Sequence, residues 1–156
     1  VGKSLVEESM LPEAAKLLEN PKITVPHLVV VSDNPDKPGR LTSIDSIEKN
    51  EAIFDVSTKS FADLETILMN AGTILWNGPL GFFEKENFDK GTIKIAKMIC
   101  SSKGFSVAGG GDTIAAAQKA GVLGKLDYVS TAGGAFLEFM EGKKLPGVEA
   151  LRDKVN

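Results

Sequence analysis

The chain has 156 residues, 42% hydrophobic and 25% charged, the proportions of a globular protein with a core of its own. Net charge is −3 and the basic residues are dispersed, with only two arginines, Arg40 and Arg152, so the basic face that nucleic acid demands is missing. A single cysteine, Cys100, cannot form an internal disulfide; a single histidine, His27, is a poor start for a metal site; and no apolar run reaches membrane-spanning length.

In chain order, residues 9–19 read as a helix with Met10, Ala14, Leu17 and Leu18 on one side. Residues 27–31 are valine-rich and read as a buried strand. NPDKPGR, residues 34–40, is a turn-rich loop, and residues 41–58, which fit neither period, read as short strands and turns. Ser60 with Asp63 resembles a capping pair ahead of a helix whose face carries Phe61, Leu64, Ile67 and Leu68. Residues 73–76 form a strand, residues 87–101 a helix with Ile95, Ala96 and Ile99 inward, and residues 105–108 a strand. A helix over 113–120 stops at Gly121; a strand over 128–130 then precedes a helix with Phe136, Leu137 and Met140 inward, which stops at Gly142. Strands alternating with helices predict a doubly wound α/β fold, Rossmann-like, with a parallel sheet and helices on both faces.

Each late strand runs into glycine: TILW into NGPLGFFE, FSVA into GGGDT, and DYVS into TAGGAF. In a parallel sheet these turns share the carboxyl edge, where open α/β folds bind ligands. Three consecutive glycines ahead of a helix leave backbone N–H groups open to an anion. Asp112 suits an N-cap; an acid beside an anion also suits a divalent cation between them, to which Thr113 could add a hydroxyl contact with phosphate. The loop lacks the lysine of a P-loop, and a dinucleotide fingerprint would need a small residue at Ile114, which argues against a nicotinamide-dependent dehydrogenase. Glu84 follows Phe82 and Phe83, a pattern that fits either a flat ring with its ribose or plain packing beside a solvated charge.

WNGPLGFFE, AGGGDTIAAAQKAG and VSTAGGAFLEFMEGKKLPGVEAL, in this order, with VGKSLVEESMLPEA at the start, closely resemble the carboxy-terminal domain of the phosphoglycerate kinase family, through nearly all of residues 1–156. The resemblance implies that Gly110, Gly111, Asp112 and Thr113 cradle the phosphates of ADP or ATP, with Asp112 on the nucleotide's magnesium. It implies that Glu84 binds the ribose, that Asn77 and Pro79 border the nucleotide, and that Phe54 with Ile53 lies on the adenine side. The turn 130–134, with Gly133 and Gly134, would face the phosphoryl group in flight together with Gly111. Two departures stand out: Ala132 replaces the first of the three glycines usual there, and Ser57 and Thr58 in IFDVSTKS replace Gly-Pro.

A chain that starts at VGKSLVEE without methionine reads as a fragment, incomplete at its N-terminal side, with the domain for 3-phosphoglycerate or 1,3-bisphosphoglycerate absent. The expectation is a cytoplasmic, monomeric glycolytic kinase as the full protein, with no membrane or nucleic-acid partner, and an inactive segment on its own. A stand-alone nucleotide-binding module without catalysis is the alternative. Missing opening strands would leave a sheet edge or an apolar face uncovered.

Overall fold

The computed structural model describes residues 1–152. Two three-stranded sheets organise it. Strands β1 (Leu28–Ser32), β2 (Arg40–Ser43) and β3 (Ala52–Val56) form an antiparallel sheet in the order β2-β1-β3. From sequence alone this region reads as a buried strand followed by short strands and turns, with no sheet assigned to them. The seven residues between β1 and β2 can close a hairpin loop but cannot span a crossover, so the chain must return antiparallel. Arg40 grips Glu51 with both arms of its guanidinium, Nε–Oε1 and Nη2–Oε2 each 2.6 Å, and holds that carboxyl below its usual range.

The N-terminal segment lies along this sheet: Lys3 N–H donates to the Glu51 carbonyl at 2.6 Å, and Ile53 N–H to Ser4 Oγ at 2.9 Å. Helix α1 (Leu11–Leu18) follows, with proline in its first turn and no buried residue.

Strands β4 (Thr73–Trp76), β5 (Phe105–Gly109) and β6 (Tyr128–Ser130) pair in parallel in the order β4-β5-β6, in the α/β arrangement expected. Helices α2 (Ala62–Asn70), α3 (Lys90–Ser101) and α4 (Gly111–Lys119) supply the main core against this sheet, where Leu68, Ile95, Ala96, Ile99, Ala116 and Ala117 meet Ile74, Trp76 and Ala108. The small side chains of α4 let it sit close to β5.

Several local expectations need correcting. Ser60 does not cap α2: its Oγ accepts from Leu28 N–H at 3.1 Å and donates to the Leu28 carbonyl, so it ties the helix entry to β1. Ile67 is exposed although its helical neighbours Leu64 and Leu68 reach the core. Helix α3 starts at Lys90, not at 87, after a 3-10 turn over Glu86–Phe88. Its first turn is capped from a distance: Asp55 of β3 accepts from Gly91 N–H at 2.9 Å.

Beyond β6, α5 (Gly134–Met140) and α6 (Pro146–Arg152) bury none of their residues, so Leu137 and Met140 are not inward as expected. Phe136, Phe139 and Met140 instead line one wall of an open trough of about 500 Å³ over the second face of the parallel sheet, floored by Leu75, Phe105, Val107 and Tyr128.

Candidate functional site

The carboxyl ends of β4, β5 and β6 bring the glycine turns to one edge of the sheet, and the first two are bonded to each other. Asn77 Nδ2 donates to the Gly109 carbonyl at 2.9 Å, and Gly78 N–H donates to Thr113 Oγ1 at 2.6 Å. Trp76 Nε1 donates to the Gly78 carbonyl at 2.8 Å. The third turn follows directly, since Gly109 of β5 pairs with Ser130 of β6.

Each glycine in FSVAGGGDT does a different job. A side chain on Gly109 would drive into the Phe136 ring at 2.4 Å. Gly110 has φ +94°, a conformation that L residues rarely adopt, and it is the N-cap of α4. Gly111 opens the helix, and a Cβ added there would meet nothing within 4 Å. Asp112 is therefore the second residue of the helix and not its N-cap, which corrects the capping reading. No side chain caps α4, so its first-turn N–H groups stay free for an anion.

Thr113 is 1% exposed, and its hydroxyl is engaged by Gly78. In this arrangement it fastens the β4 turn to α4. Asp112 is exposed beside the free N–H groups. Among the described residues no three His, Cys, Asp or Glu side chains gather into a metal cage. A lone carboxylate next to uncapped helix N–H groups fits a magnesium ion that would arrive with phosphates.

The turn after β6 has Gly133 at φ +53°, whereas Ala132 is not at positive φ, so alanine there is unstrained and keeps its N–H donor. Ser57, the other departure, has φ −67° and ψ 131°, an ordinary extended conformation, and accepts from Lys59 N–H at 3.2 Å.

The long loop after β4 is pinned from several sides. Thr92 of α3, fully buried, accepts from Leu80 N–H at 3.1 Å and Gly81 N–H at 3.3 Å. Asp55 lies so close to Gly81 and Gly91 that a Cβ on either would fall 2.4 Å from its Oδ1. Lys119 of α4 donates to the Phe83 carbonyl and pairs with Asp89 at 2.9 Å. Phe83 is core, as its packing reading allowed, while Phe82 is exposed and stacks on Phe54 with ring centroids 6.2 Å apart. Phe82 N–H donates to the Phe54 carbonyl at 2.7 Å, which keeps β3 against the loop. Pro79 is half-buried within this loop, and Glu84 projects exposed from its far end.

Asp55, Thr92 and Lys119 escaped the sequence reading because their partners lie 11 to 36 positions away; only the glycines at 81 and 91 hinted at a close approach. Cys100 is partly buried against the core, and burial pushes its thiol up, away from reactivity. No helix among the described residues is long and apolar enough to cross a membrane.

Fold and rim define an α/β domain whose carboxyl sheet edge is made of glycine turns. A family model described as phosphoglycerate kinase matches residues 1–143, and the chain belongs to that family. Among solved structures, phosphoglycerate kinase from Coxiella burnetii is 42% identical, with a TM-score of 0.89 over 96% of this chain and 40% of that one. Phosphoglycerate kinase from Pyrococcus horikoshii OT3 is 34% identical, with a TM-score of 0.80 over 93% of this chain and 36% of that one. The chain thus spans well under half the length of these solved relatives.

Proposed function

We propose that this chain is the nucleotide side of a phosphoglycerate kinase, which transfers a phosphoryl group reversibly between 1,3-bisphosphoglycerate and magnesium-ADP to give 3-phosphoglycerate and ATP in glycolysis. The supporting observation is the uncapped N-terminus of α4, with Gly110 at φ +94° and an unobstructed Gly111, on the same sheet edge as the turn 130–134. Residues 1–156 act as one nucleotide-binding domain of a cytoplasmic, monomeric enzyme, and the glycerate partner binds a second domain.

The N–H groups of Gly110 and Gly111 hold nucleotide phosphates, and Asp112 holds the magnesium that accompanies them. Magnesium supplies charge neutralisation at the phosphates. Thr113 serves by fixing Gly78, and Asn77 and Pro79 shape the border of the site. Phe54 and Phe82 offer a stacked apolar surface for the base, with Glu84 as acceptor for ribose hydroxyls. Gly133 and Gly134 present backbone N–H groups to the transferred phosphoryl, a reaction that depends mostly on positioning and charge stabilisation.

Titration of the chain with ADP, with and without magnesium, tests this reading. Magnesium should tighten binding in the wild type, and Asp112→Asn should lose most of that gain while metal-free binding holds. A wild-type chain indifferent to ADP overturns the proposal; an Asp112→Asn variant with an undiminished magnesium effect overturns the metal role. Residues 1–156 expressed alone should show no phosphoglycerate kinase turnover, because correct positioning of two substrates accounts for about 7–11 kcal/mol of barrier reduction and only one substrate is held here. Turnover in a coupled assay near that of an intact family enzyme would refute this.

A further inference from the structure

We infer that Lys119 is a positioning residue for ribose recognition: clamped between Asp89 and the Phe83 carbonyl, it fixes the peptide plane from which Glu84 projects. The inference rests on the nucleotide reading above and assigns a role to two residues outside every glycine turn.

The geometry is specific. The segment from Gly81 to Lys85 is a tight turn in which Phe83 N–H donates to the Gly81 carbonyl at 2.8 Å and Lys85 N–H to the Phe82 carbonyl at 3.0 Å. These bonds leave the Phe83 carbonyl without a backbone donor among the described residues, and Lys119 Nζ fills that place. Because a peptide unit is planar, a donor on the Phe83 carbonyl also sets the orientation of Glu84 N–H and the direction in which Cα of Glu84 departs.

The lysine is itself held. Its ammonium lies 2.9 Å from Asp89 Oδ2, with the lysine side chain 30% exposed and the aspartate 11%. Asp89 immediately precedes α3, and Lys119 is the last residue of α4, so the pair also joins the two helices that cover the sheet. Phe83 is buried in the core beneath. Glu84, in contrast, is exposed and makes no hydrogen bond among the described residues. A flexible carboxylate on an unfixed backbone would spend binding energy on ordering both; here Lys119 already holds the backbone from which the side chain departs.

The test compares ADP with 2′,3′-dideoxy-ADP on the full chain, in the presence of magnesium, for wild type, Glu84→Gln, Lys119→Met, Lys119→Arg and the double variant Glu84→Gln/Lys119→Met. The wild type should prefer ADP by about tenfold or more, the scale of hydrogen bonds to a charged acceptor. Glu84→Gln should remove most of this preference. Lys119→Met should also reduce it to within about threefold, and the double variant should lose no more than Glu84→Gln alone, the mark of two residues acting as one unit.

Lys119→Arg keeps a donor and should retain part of the preference. Asp89→Asn releases the lysine from its other partner and should weaken discrimination even if Lys119→Met fails to fold. A uniform loss of affinity for both nucleotides in Lys119→Met and Asp89→Asn, with the ratio intact, overturns the inference and leaves a purely structural bridge. A wild type without preference, or a Glu84→Gln variant that keeps it, removes the ribose reading and the inference with it.

Discussion

Neighbouring positions on one strand meet opposite surroundings in this molecule. On β4, Ile74 and Trp76 are 6% and 5% exposed, while Leu75 between them is 41% exposed; on β5 and β6, Phe105 and Tyr128 on the same open side are 53% and 56% exposed. Side chains alternate across a strand, so this is a difference between the faces of the sheet. One face is finished, closed by α2, α3 and α4; the other carries an aromatic and aliphatic floor that α5 and α6 only border. All-parallel sheets are ordinarily covered on both faces. The glycine rim depends on the finished face, since Thr92, Thr113 and Lys119 all reach the loops from α3 and α4.

Adjacent truncations on β4 put this asymmetry to its most direct test. Ile74→Ala should destabilise the chain by about 2–5 kcal/mol through lost burial and a residual cavity, and Leu75→Ala by well under about 1.5 kcal/mol, because less of its side chain leaves water on folding. Urea unfolding of the two variants at equal denaturant slope decides it. Equal losses would mean that Leu75 is covered in solution.

Glycines show a parallel contrast at the rim. Gly91→Ala should cost about 1–3 kcal/mol, since the new methyl would fall 2.4 Å from the buried Asp55 carboxylate and 2.6 Å from the Val56 backbone carbonyl. Gly111→Ala, in open space and at ordinary φ, should leave stability within about 0.5 kcal/mol while weakening phosphate binding by crowding the approach to α4. Thermal unfolding with and without ADP separates the two effects. A Gly111→Ala variant that binds ADP as well as wild type would show that the anion does not approach there.

The same two faces explain what the sequence made legible. The rim could be read because its elements are local: a short apolar strand, a glycine turn and a helix lie within a short stretch, as in FSVAGGGDTIAAA. The parallel order of the strands followed from the helices between them. The antiparallel sheet was hidden, because LVVVS suits either sheet type and only the loop length after Ser32 decides between them. Asp112 was misplaced by two positions because Gly110 at positive φ, and no polar side chain, starts α4. The braces on the loop after β4 depend on long-range partners, which neither periodicity nor motif spacing encodes.

The smallest expected effects come from two carboxylates with opposite environments. Asp55 is buried, and desolvation pushes its carboxyl above the usual range despite the N–H groups of Gly91 and Val56 that favour its charge; Asp89 nearby pushes the same way. Asp127 is held below the usual range by the Ser106 N–H at 2.8 Å, helped by the Ser106 hydroxyl at 2.7 Å. For Asp127 the folded state releases its proton more readily than the unfolded one, so its stabilisation is present above the unfolded value near 3.8 and is lost as pH falls through the lowered folded value. For Asp55 the folded state holds its proton more tightly, so stability declines as pH rises from 3.8 through the raised folded value. Asp127→Asn should therefore flatten the acid limb of the stability curve. Asp55→Asn should remove the opposing decline, so that its stability relative to wild type rises with pH across that window and then levels off, whatever constant offset the lost acceptor adds. Urea unfolding at intervals from pH 3 to 7 measures both slopes. If both variants change the slope in the same sense, then Asp55 is not buried as a charge beneath the rim, and the finished face is less closed than its packing indicates.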